Sequence, residues 1–125
     1  MSYYIAEVGV VKIKPEYAEQ FGYFFNCEHE KVTDAVFESF LNMYYEDSEP
    51  GYYDDYVMDI RTWDHHNIKE EWQDKYITAY KDGIFTYGLY FNLYSPIRSE
   101  FVLDFLDNLL PKLTEKVLES DSWSE

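Results

Sequence analysis

Hydrophobic positions change period several times along the chain, and each change marks an element. Residues 3–13 (YYIAEVGVVKI) are rich in β-branched and aromatic types and predict a strand. The apolar phase is clear at Val8 and Val10, while Ile5 and Ile13 have the other parity. Gly9 between them predicts a bulge where the phase changes. Pro15 suits the first turn of a short helix over 15–25, with Tyr17, Phe21 and Phe24 or Phe25 inward. A helical stripe follows over 28–45: Val32, Val36, Phe40 and Met43, widened by Phe37 and Tyr44. Pro50 and Gly51 in EDSEPG (46–51) end it.

Residues 54–63 (DDYVMDIRTW) alternate, with Tyr56, Met58 and Ile60 on one face, and predict a half-buried strand. A polar turn around DHHN (64–67) follows. Over 70–81, Trp72, Tyr76 and Tyr80 fit a helix face and a strand face equally, so 70–76 stays open between the two. Asp82-Gly83 lies between two β-rich runs, a strong hairpin signal. It predicts strands 75–81 and 84–94, with Phe85, Tyr87, Leu89, Phe91 and Leu93 on one face. Ser95-Pro96 supplies an N-cap and a first-turn proline for a last helix. Its apolar side is Phe101, Val102, Phe105, Leu106, Leu109 and Leu110. Pro111 kinks or restarts it, and Leu113 and Val117 extend it.

The predicted order is β-α-α-β-β-β-α. It describes one α+β domain over 1–119 in two layers, an antiparallel or mixed sheet of about four strands with helices on one side. Residues 120–125 are expected to be a frayed acidic tail, with Trp123 able to dock.

Charge changes this picture most. The chain has 125 residues, 25 acids and 10 bases, a net charge of −15. Aromatics make up 21%, which is far above what a disordered acidic chain carries. Such a balance argues against direct contact with nucleic acid or anionic membrane. The lone cysteine, Cys27, leaves no disulfide framework. No basic leader with an apolar core opens the sequence, and no run approaches a membrane span, so a cytoplasmic location is expected.

Candidate chemistry adds little. His29, His65, His66, Asp64 and Cys27 lack metal-ligand spacing, so no metal or cofactor is expected. Cys27 and His29 stand two residues apart, a spacing that does not face the two side chains together on a helix. No GxSxG elbow and no glycine-rich phosphate loop occur. The chain therefore reads as non-enzymatic.

The acids themselves carry a pattern. Glu30, Asp34 and Glu38 recur at four-residue steps on the 28–45 helix, opposite its apolar stripe. Glu100, Asp104 and Asp107, at steps of four and three, likewise share one face of the last helix. Glu46, Asp47, Glu49, Asp54, Asp55 and Asp59 continue the run, with Tyr52 and Tyr53 as exposed aromatics beside them. From 26 to 60 there are ten acids and one base, Lys31. Like charges at this spacing oppose the helix by roughly 0.2–0.5 kcal/mol per pair. Four-residue helical steps are about 6 Å apart, close to the separation of successive phosphates along a DNA strand.

In these stripes and in its 46–59 stretch the chain resembles the small acidic inhibitors that phages and mobile elements direct against restriction or CRISPR systems. Several of those mimic DNA. The resemblance implies a basic nucleic-acid-binding protein as partner, blocked in the cytoplasm of a bacterial host, with the fourteen residues of the acidic run and stripes as the contact surface. A toxin-neutralising immunity protein is a second reading of the same charge. A small enzyme or ligand-binding domain, using a cavity between sheet and helices, is a third. A homodimer through an aromatic sheet face is a fourth.

Overall fold

The structure, a computed structural model, describes residues 4–43, 60, 69–92 and 101–124. Strand β1 (Tyr4–Ile13) runs through the middle of the sheet. Helix α1 (Pro15–Phe25) follows, then a 3-10 turn (His29–Lys31) and helix α2 (Ala35–Asn42). The single turn α3 (Glu70–Gln73) leads into strands β2 (Ala79–Lys81) and β3 (Ile84–Asn92). A helical segment over 101–113, α4, precedes the last strand, β4 (Thr114–Ser124). The four strands are all antiparallel, in the order β2-β3-β1-β4. This is the expected α+β class with the mixed alternative removed.

The helix face of the sheet carries the main core. Val11 and Ile13 from β1 and Phe85, Tyr87 and Leu89 from β3 meet Phe21, Phe24 and Phe25 of α1, Phe37, Phe40 and Leu41 of α2, and the apolar side of α4. Phe21 sits at its centre, with ring centroids 4.7 Å from Tyr80 and 5.0 Å from Phe85. The other face of β1 is covered as well. Ala6 and Val8 pack against Trp72 and Tyr76, with Val10, Tyr90 and Trp123 at the margin. Both parities of β1 are therefore buried, which accounts for its two apolar phases without a bulge. Its pairing with β3 runs unbroken through Gly9 opposite Tyr87. Gly9 is needed for another reason: a Cβ there would lie 2.6 Å from the Tyr87 ring and hydroxyl. The register shifts lie on its other side, opposite Val10/Val11 and Lys12/Ile13, and their extra residues, Leu118 and Glu115, belong to β4.

Three expectations are corrected. The continuous 28–45 helix is broken. Gln20 of α1 explains the break: its side-chain oxygen accepts from the backbone N–H of Thr33 at 2.8 Å and of Asp34 at 3.0 Å. Its amide nitrogen donates to the Lys31 carbonyl at 3.3 Å. These long-range bonds satisfy backbone groups that a helix would pair internally, so 32–34 stay outside any helix. Met43, placed on the apolar stripe by periodicity, is 65% exposed, and Leu41 is buried instead. Tyr44 lies outside the described residues.

Residues 114–124 form a strand where an extended helix and a frayed tail are expected. Pro111 cannot donate to the carbonyl four residues back. The helix widens just before it, over Phe105–Leu109, where the Leu110 N–H reaches the Phe105 carbonyl in π fashion. The Thr114 hydroxyl then donates to the Leu110 carbonyl at 2.7 Å, and the chain leaves as β4. Of the 54–63 strand only Ile60 is described; it is buried as expected, but helical and not extended.

The hairpin stands where Asp82-Gly83 places it. Both residues have positive φ, 53° and 79°, as a two-residue primed turn requires. Residues 70–76 resolve as one helical turn with its exit, so β2 is shorter than the 75–81 expectation. Leu93 and Ser95-Pro96 lie outside the described residues.

Candidate functional site

The acidic stripe of 28–45 does not survive the break in its helix. Glu30 is exposed on the 3-10 turn, its carboxylate 4.0 Å from His29 Nδ1. Asp34 is half-buried and caps α2, accepting from the Val36 N–H at 2.9 Å. A carboxylate so placed meets the positive end of the helix and is engaged within its own chain. Glu38 is exposed in the first turn of α2. The structure thus keeps Asp34 and Glu38 one turn apart and puts Glu30 on another element. On α4, Asp104 accepts from the Asn108 side chain at 3.0 Å, and Asp107 is exposed within the π turn. Glu46, Asp47, Glu49, Tyr52, Tyr53, Asp54, Asp55, Asp59 and Glu100 lie outside the described residues.

What replaces the stripe is an uneven sharing of lysines: the described acids split equally between the helix layer and the rest, and most of the described lysines lie outside that layer. Residues 15–43 of the helix layer hold six acids, Glu16, Glu19, Glu28, Glu30, Asp34 and Glu38, and one base, Lys31. That base is already taken by Glu28 at 3.1 Å. The bond and charge of Glu28 push the Lys31 ammonium above its usual range. Lys31 also lies 5.5 Å from the Tyr23 ring centroid. Tyr23 in turn donates to Glu19 at 3.1 Å, which raises its phenol. Glu16, Glu19 and Glu28 were not singled out from sequence. Their signal was the absence of any lysine between Lys14 and Lys31.

The other seven described lysines stand elsewhere: Lys112 on α4, and Lys12, Lys14, Lys69, Lys75, Lys81 and Lys116 outside the helices of the helix layer. Register places Lys81 and Lys12 opposite Ile84, and Lys116 opposite Lys12, so three of them share one row across the sheet. Lys12 pairs with Glu115 at 3.2 Å and Lys75 with Glu119 at 2.7 Å. The Tyr76 hydroxyl also donates to Glu119 at 3.0 Å. These two bonds, Lys75 first, hold Glu119 below the usual carboxylate range.

Two further groups lie between the layers. Glu7 is the one acid on the helix-facing side of β1, half-buried. Burial, and then the charge of Asp107, push it above the usual carboxylate range. Beside it Tyr87 is pushed up to about 12, by burial first and by Glu7 second. Among the described residues no group of three His, Cys, Asp or Glu side chains is arranged to hold a metal ion. Nor is any described helix long and apolar enough to cross a membrane. Cys27 occupies the turn after α1 with a positive φ of 60°, and His29 is on the following 3-10 turn.

No protein-family model, curated protein or solved structure matches this chain. Fold and surface together define a small acidic α+β protein whose helix layer is poorer in lysine than its sheet.

Proposed function

We propose that this protein is a non-enzymatic acidic inhibitor. It binds a basic nucleic-acid-binding partner of a bacterial host and occupies the groove meant for the nucleic acid, as a phage anti-defence protein would. The observation that carries this reading is the uneven sharing of lysines: the helix layer over 15–43 has six acids against one paired lysine. A helical row with phosphate spacing is not required. Carboxylates of Glu16, Glu19, Glu30 and Glu38 on separate elements present a broad negative surface that meets Lys and Arg side chains. Lys31 over Tyr23 illustrates within the chain how a partner's cation would be received, by a ring and a carboxylate together.

The test is capture from a bacterial lysate at low salt, identification of the bound protein, and titration of the purified pair. Affinity is expected to fall by a factor on the order of 100 or more between about 50 and 200 mM salt. Nucleic acid should compete. A variant with Glu16, Glu19, Glu30 and Glu38 all changed to Gln should lose most of the binding, and neutralising Lys12, Lys81 and Lys116 should not. Salt-independent binding, or no effect of the quadruple variant, would sink the proposal. Recovery of a toxin nuclease bound at its catalytic centre would move the protein to the immunity class.

A further inference from the structure

A groove of about 340 Å³ opens between α4 and β4 on the helix side of the sheet. Its walls are Val11, Leu106, Leu110, Pro111 and Val117, with hydroxyls from Tyr87, Thr114 and Ser120 and one charge of each sign from the exposed Glu115 and Lys116. That volume is at the lower end of the range of small-molecule sites. The Thr114 hydroxyl is spent on the Leu110 carbonyl. Tyr87 differs. It is only 7% exposed, yet its hydroxyl is not one of the described side-chain polar atoms sealed away from solvent without a partner, so this mostly buried phenol opens onto the groove. Such an opening through a packed layer calls for an explanation.

Placement supplies one. The ring lies across Gly9, its hydroxyl 2.6 Å from where a Cβ would stand. Gly9 pairs on its other side with Ser120, a residue of the groove wall. The missing side chain of Gly9 therefore lets the phenol reach the β4 side of the groove. Leu106 on the opposite wall belongs to the π turn, and such widened turns recur at functional sites.

We propose that this groove binds a small uncharged, mainly apolar molecule that presents one hydrogen-bond acceptor, such as a carbonyl oxygen, to the Tyr87 hydroxyl. The walls supply the apolar contact. Because burial and Glu7 keep the phenol protonated, Tyr87 acts as a donor. The lining charges, Glu115 and Lys116, are of opposite sign, so the wall as a whole favours neither an anion nor a cation. The site is independent of the acidic outer surface and stands whether or not that surface binds a partner.

The experiment uses the full chain, isotope-labelled, titrated with 2-acetonaphthone, with its hydrocarbon counterpart 2-ethylnaphthalene and with 2-naphthoate, followed by amide chemical shifts. The ketone is expected to bind best and the carboxylate worst, with shifts at Val11, Tyr87, Val117 and Ser120. Tyr87→Phe keeps the ring over Gly9 and removes only the hydroxyl. It should weaken ketone binding roughly three- to tenfold and leave the hydrocarbon unchanged. Ser120→Trp, at an exposed edge position, should fill the groove and abolish both. No shifts, shifts outside the groove, tighter binding of the carboxylate, or equal ketone affinity in Tyr87→Phe would each overturn the proposal.

Discussion

The two faces of the sheet solve burial by different means. On the helix face twenty of the described residues, nine of them aromatic, form one continuous cluster. On the opposite face four residues suffice, Ala6, Val8, Trp72 and Tyr76. The thin face relies on mixed contacts. Lys69 lies 4.9 Å from the Trp72 ring centroid and 5.8 Å from that of Trp123, and Lys75 lies 5.3 Å from that of Tyr76. Lysine stems there cover apolar rings while their charges stay wet. The thick face needs no such help, so its outer surface is free to carry repelling carboxylates. Depth of core and lysine placement are thus linked: lysines gather where packing is shallow, while the described acids are shared evenly between the helix layer and the rest.

The largest test of this contrast is a pair of truncations. Phe21→Ala opens a cavity at the centre of the thick core and is expected to cost about 3–5 kcal/mol. Trp72→Ala on the thin face leaves a site that solvent and neighbouring lysines can fill, and should cost about 2 kcal/mol. Urea denaturation of both variants measures the difference; equal losses would show that the two clusters are one cooperative unit of uniform depth.

A smaller effect is expected from Asp34→Ala. If Asp34 serves chiefly as a cap, its loss destabilises the fold by about 1 kcal/mol. A neutral or stabilising result would mean that like-charge relief outweighs the cap and would return Asp34 to the outward acidic surface.

The smallest effect concerns Glu7. Its folded-state proton affinity is raised, so the folded chain binds more protons than the unfolded one just above pH 4.5. Stability is then full below that pH and declines as pH rises through the raised value. Glu7→Gln should remove the decline and raise stability at pH 7. Thermal melts from pH 4 to pH 8 would show a flatter profile; an unchanged one would mean that Glu7 is not held between the layers.

Local chemistry was readable where it acts alone. Asp82-Gly83 needs only its own backbone, and Phe85, Tyr87 and Leu89 need only alternation, so both read correctly from sequence. Pro15 likewise opened its helix. The break at 32–34 could not be read, because the groups that cause it belong to Gln20, thirteen and fourteen residues away. Strand β4 could not be read either. Val117 and Leu118 fit a helical or an extended pattern, and only pairing with β1 decides between them. The candidate surface was legible as an excess of acid but not as an arrangement. Asp34 shows why: one carboxylate satisfies the pattern of a stripe and the pattern of a cap, and the backbone it meets determines which it becomes.

The central place of β1 also dictates an order of assembly. Its neighbours are β3 and β4, and Ile5 finally lies beside Ser124. The hairpin of β2 and β3 closes through two residues and can form at once, whereas β1 must await partners from the far part of the chain. Long loops close slowly, and their entropy is lost before any contact repays it. Folding should therefore be paced by the capture of β1. Until then Val8, Val11 and Ile13 stay uncovered, and the mutual repulsion of fifteen excess negative charges keeps unfinished chains apart.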